Sequence, residues 1–226
     1  RAYFTDKQRG AVLRLSMDGL TPISDAGMHD YFKDNLSIAE NIVASYDNRD
    51  KNYNVTLDSG TSGRGFRASG AFGGGGAAPA EVTISFNEKV KGWTSFKSFI
   101  QETGVSVANN YYTFDSGRLW LHHAAFEIDG TTVVPRNNFY DTQFNSSITT
   151  LLNDQSQLVK SYNTLNYEGD EGWTATITTN MQNGTINDFI EKEGKWFNYI
   201  KGTNEIDLQA FNFQGIGQTI GIEYSI

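Results

Sequence analysis

The segment IVASYDNRDKNYNVTL (42–57) gives the clearest structural signal in this chain of 226 residues. Two runs rich in β-branched and aromatic residues, 42–47 and 52–57, flank a polar turn at 48–51. This pattern is typical of a β-hairpin. The segment therefore predicts two antiparallel strands joined by a tight connection.

A second hairpin is predicted at the N-terminus, where strand-like runs at 2–6 and 11–16 surround Lys7–Gly10. Between the two hairpins, apolar residues recur at helical spacing over 25–36, and Ser24 can cap the start of a helix. The residues that show this spacing are Met28, Tyr31, Phe32 and Leu36. We therefore predict one short helix near 25–36.

Strand patterns dominate the rest of the chain, with turn signals about every 8–15 residues, a spacing typical of antiparallel sandwiches and barrels. The predicted strands include EVTISF (81–86), NYYTF (110–114), RLWLHH (118–123), SSITTLL (146–152), LVKSYNTLNYE (158–168), WTATITT (173–179) and the hairpin FIEKEGKWFNYI (189–200). The fold class that we predict is mainly β, with antiparallel hairpins forming a sandwich, a barrel or a propeller-like fragment.

Composition changes sharply at 59–79, which is rich in Gly, Ala and Ser. Four consecutive glycines carry a high ordering entropy, so we predict a loop or linker there. It would separate an N-terminal β-hairpin segment (1–58), possibly the end of a larger β domain, from a β-rich structural domain (80–226). Because the chain begins at Arg1 within a strand-like run, we expect it to be part of a longer polypeptide.

Charge and cysteine content exclude several classes of protein. The net charge is −8, and the 18 basic residues are scattered. A protein that binds nucleic acid directly would show a basic patch. The chain has no cysteine, so it has neither disulfides nor thiolate metal ligands. No apolar run approaches the roughly 20 residues that span a bilayer, so no membrane span is predicted.

No motif predicts a cofactor or a metal site. Gly63–Ala68 matches G-x-G-x-x-A, but the glycines that follow cannot continue the helix that a dinucleotide site needs. His122 and His123 are adjacent on a predicted strand, where neighbouring side chains point to opposite faces and cannot easily share a metal. His29 lies far away in sequence, on the predicted helix.

We predict that the chain is not an enzyme. It contains no G-x-S-x-G nucleophile elbow. The carboxylate pairs that could serve glycoside hydrolysis are Glu191 with Glu193, which flank a charged turn, and Asp6 with Asp18. Four tryptophans stand in strand patterns and are predicted to anchor packing or an interface, with glycan stacking as the alternative. They are Trp93, Trp120, Trp173 and Trp196.

Six segments resemble, in the same order, parts of large tail-associated virion structural proteins of tailed bacteriophages of the marine-phage type. They are DKQRGAVLRLSMDGLTPIS (6–24), SFNEKVKGWTSFKSFI (85–100), NNYYTFDSGRLWLHH (109–123), NNFYDTQFNSSITTLLND (137–154), VKSYNTLNYEG (159–169) and FIEKEGKWFNYIKG (189–202). Related segments occur in large tail proteins of gut phages.

The resemblance implies a structural component of the virion, made in the bacterial host cytoplasm and located in the tail, baseplate or tail tip. It brings no catalytic residues. The expected partners are other tail proteins and copies of the chain itself in a symmetric assembly. The alternative is a module at the tail tip that binds a host receptor or glycan, and a third hypothesis is a tail-borne cell-wall hydrolase.

Overall fold

The computed structural model describes residues 1–58, 81–155, 157–170, 172–179, 183–202, 213–216 and 221–225. The predicted fold class is confirmed, because the described residues are mainly β and the strands that pair among them are antiparallel. It divides into two compact units, Arg1–Gln143 and Phe144–Ile226.

The first unit contains one short 3-10 helix, Ile23–Asp25, and the helix α1, His29–Leu36. Its described strands are β1 (Ala2–Asp6), β2 (Ala11–Ser16), β3 (Gly19–Pro22), β4 (Asn41–Asp47), β5 (Asn52–Asp58), β6 (Val82–Asn87), β7 (Gly92–Lys97), β8 (Thr103–Val107), β9 (Asn110–Asp115), β10 (Arg118–Leu121), β11 (Asn138–Phe139) and β12 (Thr142–Gln143).

A four-stranded sheet, in the order β4-β5-β6-β7, lies at the centre of the first unit. The hairpin predicted over 42–57 forms its first two strands. Alternation along β5 places Tyr53, Val55 and Leu57 on one face and Asn54 and Thr56 on the other, and all five are buried. The central sheet therefore has one apolar face and one polar face, and both are covered.

The apolar face of the central sheet packs against α1 and the three-stranded sheet β1-β2-β3. Phe32 and Leu36 on α1 are fully buried there. The ring of Tyr3 stacks on those of Tyr53 and Tyr46, with centroid distances of 4.2 and 5.8 Å. Aromatic and aliphatic contacts thus hold this layer in place.

The polar face is covered through hydrogen bonds. Tyr111 of β9 and Ser45 of β4 place their hydroxyl oxygens 2.6 Å apart, and both hydroxyls donate to Gln101 Oε1. Thr83 donates from Oγ1 to the carbonyl oxygen of Phe99, over 2.6 Å. Buried polar groups need such partners, so the polar face is covered by a layer that supplies hydrogen bonds.

The helix begins later than predicted, at His29 instead of near residue 25. Residues 23–25 form the separate 3-10 helix, and Gly27 then adopts a φ of 81° before α1 begins at His29. Met28 occupies the N-cap position, and the buried Ser24 side chain makes no capping hydrogen bond. The predicted Ser24 cap was wrong, because the turn at Gly27 separates this residue from the helix.

The division into units differs from the boundaries predicted from the sequence. Strands β5 and β6, which flank the Gly-rich segment, are neighbours in one sheet. They pair from Asn52 opposite Asn87 to Leu57 opposite Val82. The segment 59–79 itself lies outside the described residues, so its role as a loop or linker stays a prediction.

The second unit has a small apolar core made by Ala175, Ile177, Ile186 and Ile200. Its described strands are β13 (Ser147–Thr150), β14 (Val159–Tyr162), β15 (Thr164–Glu168), β16 (Thr174–Thr178), β17 (Asn183–Ile186), β18 (Ile190–Lys192), β19 (Lys195–Tyr199), β20 (Lys201–Gly202), β21 (Phe213–Ile216) and β22 (Gly221–Ser225). They form sheets in the orders β13-β22-β16-β17-β20, β14-β21 and β15-β19-β18.

Across the described ranges, α1 and the 3-10 helix are both far too short to pass through a bilayer, and no helix has the length and apolar character of a membrane span.

Gly104 marks the closest approach of β8 to the central sheet. A Cβ added there would lie 2.6 Å from Gln101 Oε1 and 2.8 Å from Ser45 Cβ. We expect Gly104→Ala to lower the free energy of unfolding by about 1–3 kcal/mol, as overpacking does elsewhere. Urea titration followed by tryptophan fluorescence measures this.

Gly92→Ala is the matched control, because Gly92 also lies in a strand but an added Cβ would have only one neighbour, 3.9 Å away. Equal stability of the Gly104→Ala variant and the unsubstituted protein would contradict the close packing of β8.

Candidate protein interface

The strands β8, β9 and β10 form a three-stranded meander whose outward side is apolar. Val105 lies opposite Tyr112, which in turn lies opposite Leu121. Phe114 and Leu119 form the next pair on the same side. Directly opposed residues share one side of a sheet. We call this surface the β8–β10 outer face; its apolar members are Val105, Val107, Tyr112, Phe114, Leu119 and Leu121.

The aliphatic residues of the β8–β10 outer face are strongly exposed. Val105 and Leu121 are each 47% exposed, and Val107 and Leu119 are each 57% exposed. The inward side of the same meander instead carries polar Ser106 and Thr113 among its residues. The inward side thus combines these polar residues with the aromatic Tyr111 and Trp120, while the outward side carries aliphatic residues that a half-buried sheet usually turns inward. A contiguous exposed apolar surface is a candidate place for another surface to bind.

Hydrogen bonds attach the meander to the end of β4 and to the residues that follow β10. Ser106 Oγ donates to the carbonyl oxygen of Tyr46 over 2.8 Å and accepts from the backbone N–H of Asn48 over 3.0 Å. Thr113 Oγ1 lies 2.6 Å from His122 Nε2 and 2.8 Å from the Tyr140 hydroxyl. The exposed apolar side chains thus project from a surface that is fixed on its reverse side.

The two histidines predicted to lie on a strand come just after β10. His122 is buried, whereas His123 has a φ of 61° and is partly exposed. Its Nε2 lies 2.6 Å from Asp47 Oδ2, and its Nδ1 lies 3.6 Å from Asp50 Oδ2. The left-handed backbone at His123 brings its ring to the β4–β5 turn. The prediction that the strand extends over both histidines was wrong, because β10 ends at Leu121.

Asp47, Asp50 and His123 offer ligand atoms that all lie within 4.8 Å of one another, so they could hold a metal ion. However, His123 Nε2 faces Asp47 and His123 Nδ1 faces Asp50, and a metal ion would bind only one of these two nitrogens. The arrangement is that of a histidine bridging two aspartates. It ties the end of β10 to the central sheet.

Burial and neighbouring groups together shift the pKa values of Asp47 and His122. Burial by itself would raise the pKa of Asp47, but the hydrogen bond and positive charge of His123, with the backbone N–H groups of Arg49 and Asp50, lower it overall. Burial lowers the pKa of His122 to about 4, and the nearby His123 charge acts in the same direction. His122 is therefore neutral at physiological pH.

A second outward apolar surface lies on the sheet β1-β2-β3. Leu15 pairs with Ala2 and Leu20, and Leu13 pairs with Phe4 and Pro22. Phe4, Leu15 and Leu20 are 42%, 47% and 57% exposed. We call this surface the β1–β3 outer face; its apolar members are Phe4, Leu13, Leu15, Leu20 and Pro22. Met17, in the β2–β3 turn beside it, is fully exposed.

The tryptophans of the first unit pack inside it. Trp93 contacts the rings of Phe32 and Phe86, with centroid distances of 4.6 and 5.3 Å, and donates from Nε1 to the carbonyl oxygen of Ile23. Trp120 projects to the inward side of β10 and packs against Tyr140 at 5.5 Å. Both residues thus support the layers behind the outer faces.

The tryptophans of the second unit are partly exposed. Trp196 stacks on Tyr167, with their ring planes within 2°, and donates from Nε1 to the carbonyl oxygen of Gly169 over 2.9 Å. The backbone N–H of Trp173 donates to the Tyr167 hydroxyl. Glycan stacking by these residues stays a prediction.

The carboxylates considered for hydrolysis lie near strand ends and turns. Asp6 and Asp18 lie beyond opposite ends of β2, whose six residues span roughly 20 Å. Glu191 and Glu193 are exposed at the turn of the β18–β19 hairpin. His29 lies 3.0 Å from Asp25 on the surface. The G-x-G-x-x-A motif at 63–68 lies outside the described residues.

Neither outer face was recognised from the sequence as a functional surface. The alternation in β9 and β10 was visible, but alternation alone does not show which side of a strand points inward. A signal that could have indicated the inward side is the serine and threonine content of β4, β5 and β6, which indicates that a polar layer faces the meander. The Asp47–His123 contact joins residues far apart in sequence and has no local signal.

Residues 134–203 match the family model of the Crassvirus muzzle protein C-terminal domain. No curated protein matches the chain. The matched residues make up less than half of the chain and lie mostly in the second unit. The match supports a phage virion structural protein. The marine-phage tail type predicted from the sequence stays a prediction.

The low pKa of His122 predicts a pH dependence of stability. Between about pH 4 and pH 6.5 the unfolded chain binds a proton that the folded chain does not, so the free energy of unfolding rises with pH. We expect His122→Gln, which keeps an Nε2 atom near Thr113, to flatten this rise. Urea titrations at a series of pH values measure it.

His29→Gln serves as the control, because it removes a histidine from the surface instead of one buried behind β10. An unaltered rise between these pH values in the His122→Gln variant would contradict the burial of a neutral histidine behind β10.

Proposed function

We propose that this chain is a structural protein of a phage virion, located in the tail, baseplate or tail tip, and that it acts by packing against other virion chains in a symmetric assembly. The match of residues 134–203 supports the virion assignment. The position in the tail and the symmetry rest on the resemblance of the segments between residues 6 and 202.

The observation that carries the proposal is the β8–β10 outer face. Four aliphatic side chains there stay about half exposed in the folded chain. Removing apolar surface from water contributes roughly 25 cal/mol per Å², so a covering chain would gain free energy from contact with each of them. A structural role requires such contacts and needs no catalytic group.

The rigid attachment of the meander favours the same role. Binding by a surface that is already ordered costs less conformational entropy than binding by a flexible segment. The β8–β10 outer face is held from behind by the hydrogen bonds of Ser106, Thr113 and Tyr111 and by the His123 bridge. It can therefore be covered without rearrangement of the unit.

Purified particles provide the direct test of location. We expect mass spectrometry of digested particles to detect peptides from both units, and gold-labelled antibodies against this chain to bind at the tail. Absence of the peptides from purified particles would refute the virion assignment. Labelling of the capsid alone would keep that assignment and refute the position in the tail.

Incorporation of variants tests the outer face itself. We expect particles assembled from a Leu119→Asp, Leu121→Asp variant to contain at least about tenfold less of this chain, because charges at the centre of an apolar contact oppose burial. Both positions are exposed, so the isolated variant should keep its stability.

Val90→Asp is the matched control, because Val90 is 68% exposed in the β6–β7 turn and lies outside both outer faces. Normal incorporation of the Leu119→Asp, Leu121→Asp variant would show that the β8–β10 outer face is not a contact in the particle.

A further inference from the structure

We infer that Asp47, Asp50 and His123 form a binding site for a divalent metal ion, and that the ion is Zn²⁺. The site lies beside the β8–β10 layer, where His123, two residues beyond the end of β10, meets the end of β4 and the turn after it. This site goes beyond the proposed structural role and does not depend on it, because it requires only side chains of the first unit.

The three side chains place their ligand atoms close together. One ligand atom from each residue, a carboxylate oxygen or an imidazole nitrogen, lies within 4.8 Å of the other two. Nε2 of His123 lies 2.6 Å from Oδ2 of Asp47. Two ligands of one tetrahedral zinc ion, each about 2.0–2.2 Å from the metal, lie roughly 3.3–3.5 Å apart. Small side-chain movements therefore suffice to bring the three ligand atoms around one ion.

Asp47 is the residue that distinguishes this cluster from an ordinary group of surface carboxylates. Its side chain is only 2% exposed. Oδ1 accepts the backbone N–H groups of Arg49 and Asp50 over 2.9 and 3.3 Å, whereas Oδ2 is directed at the imidazole of His123. Carboxylates that bind metals are held by hydrogen bonds in this way, and buried charges in proteins are paired or coordinate metals. One oxygen of Asp47 is therefore fixed by the backbone while the other is positioned to bind.

The other two ligands give the site access to solvent. The side chains of Asp50 and His123 are 46% and 30% exposed. Because nearly half of the Asp50 side chain is exposed, its carboxylate can turn toward an ion on Nε2 without displacing packed groups. Three protein ligands and a position for water are the arrangement of open zinc sites. An ion can therefore enter from solvent, and water can complete its coordination.

The local charge favours a cation. Two carboxylates face one imidazole, so the three side chains together are negative in either protonation state of His123. Arg49 is a neighbouring cation, because its Nη1 donates to the backbone carbonyl oxygen of His123 over 3.0 Å. Its guanidinium offsets part of the negative charge and repels a bound cation. Removal of this side chain should therefore strengthen metal binding.

The donor atoms indicate which ion the site prefers. They are one imidazole nitrogen and two carboxylate oxygens, and the chain has no cysteine to supply a thiolate. Mg²⁺ and Ca²⁺ bind at sites made of oxygen ligands, whereas imidazole suits Zn²⁺ and other late first-row ions. A histidine together with carboxylates therefore favours Zn²⁺ over Mg²⁺ or Ca²⁺.

A bound ion would strengthen the attachment of the β8–β10 meander. Asp47 and His123 are 76 residues apart in sequence, and a hydrogen bond joins them. An ion that replaces this hydrogen bond would add Asp50 as a further ligand and would cross-link the end of β10 to the β4–β5 turn. An ion that binds the folded chain but not the unfolded chain raises the free energy of unfolding. The chain would gain a long-range cross-link without a disulfide.

Isothermal titration calorimetry of the full chain with ZnCl₂, after removal of bound metal with a chelator, tests the site. We expect His123→Gln and Asp50→Asn each to weaken zinc binding at least about tenfold, because each removes a ligand. Both side chains are partly exposed, so these variants should remain folded. His29→Gln is the matched control, because it removes a histidine that pairs with Asp25 at 3.0 Å on the surface, and it should leave the affinity unchanged.

Arg49→Gln provides a readout that a purely structural contact would not give. We expect this variant to bind Zn²⁺ at least about threefold more tightly, because a nearby positive charge is removed. Arg9→Gln is its control, since the Arg9 side chain is 82% exposed and pairs with Asp6 instead. Zn²⁺ should also raise the Tm of the unsubstituted chain and of Arg49→Gln, but not that of His123→Gln.

Four results would overturn the inference. Unchanged zinc affinity in His123→Gln or Asp50→Asn would place the ion elsewhere, and unchanged affinity in Arg49→Gln would place it away from the guanidinium. Tighter binding of Mg²⁺ or Ca²⁺ than of Zn²⁺ would contradict the assigned ion. Absence of both binding heat and a shift in Tm at about 1 mM Zn²⁺ would show that the cluster is an ion pair only. Peptides in purified particles test the virion role separately.

Discussion

The burial of β5 and β6 on both sides is the constraint on which the rest of the first unit depends. Along β5, Tyr53, Val55 and Leu57 alternate with Asn54 and Thr56, and all are buried. One side needs an apolar cover, and the other needs hydrogen-bond partners, because a buried polar group without a partner costs free energy. The layer of α1 and β1–β3 supplies the apolar cover, and the β8–β10 layer supplies hydrogen-bond partners.

The reversed polarity of the β8–β10 meander follows from this constraint. A layer that satisfies a polar face must direct polar groups of its own inward, as Tyr111 does toward Ser45 and Ser106 does toward the carbonyl oxygen of Tyr46. Strand alternation then directs the intervening residues outward, and in this chain they are Val105, Leu119 and other apolar residues. A solvated outer surface would carry polar residues there. The combination of hydrogen-bonding groups on the inward side and aliphatic residues on the outward side is what supports the proposed role in assembly.

Much of the architecture could be predicted from local sequence. The hairpin over 42–57, the N-terminal hairpin and the β18–β19 hairpin all form where turn residues interrupt alternating strands. The turn at Ser116 and Gly117, with φ values of 54° and 73°, connects β9 and β10 as its sequence indicates. Local propensity was sufficient in these places because the partner strand is adjacent in sequence.

The β8–β10 and β1–β3 outer faces could not be predicted, because they depend on which side of each strand faces the rest of the protein. An alternating strand shows two sides without showing which one is inward. For β9 and β10, the inward side is determined by contacts with residues distant in sequence. Ser45 contacts Tyr111, and Asp47 contacts His123 just after β10. The predicted start of the helix was wrong for a related reason. Ser24 is a typical cap residue, but the left-handed backbone at Gly27 redirects the chain before α1 begins.

The most direct test of the central claim, that the outward apolar surface is covered by protein, is an electron cryo-microscopy map of the intact particle at side-chain resolution. We predict protein density from a neighbouring chain within about 4–4.5 Å of the Leu119 and Leu121 side chains, the distance of apolar contact. A map in which both leucines face solvent in every copy would contradict it.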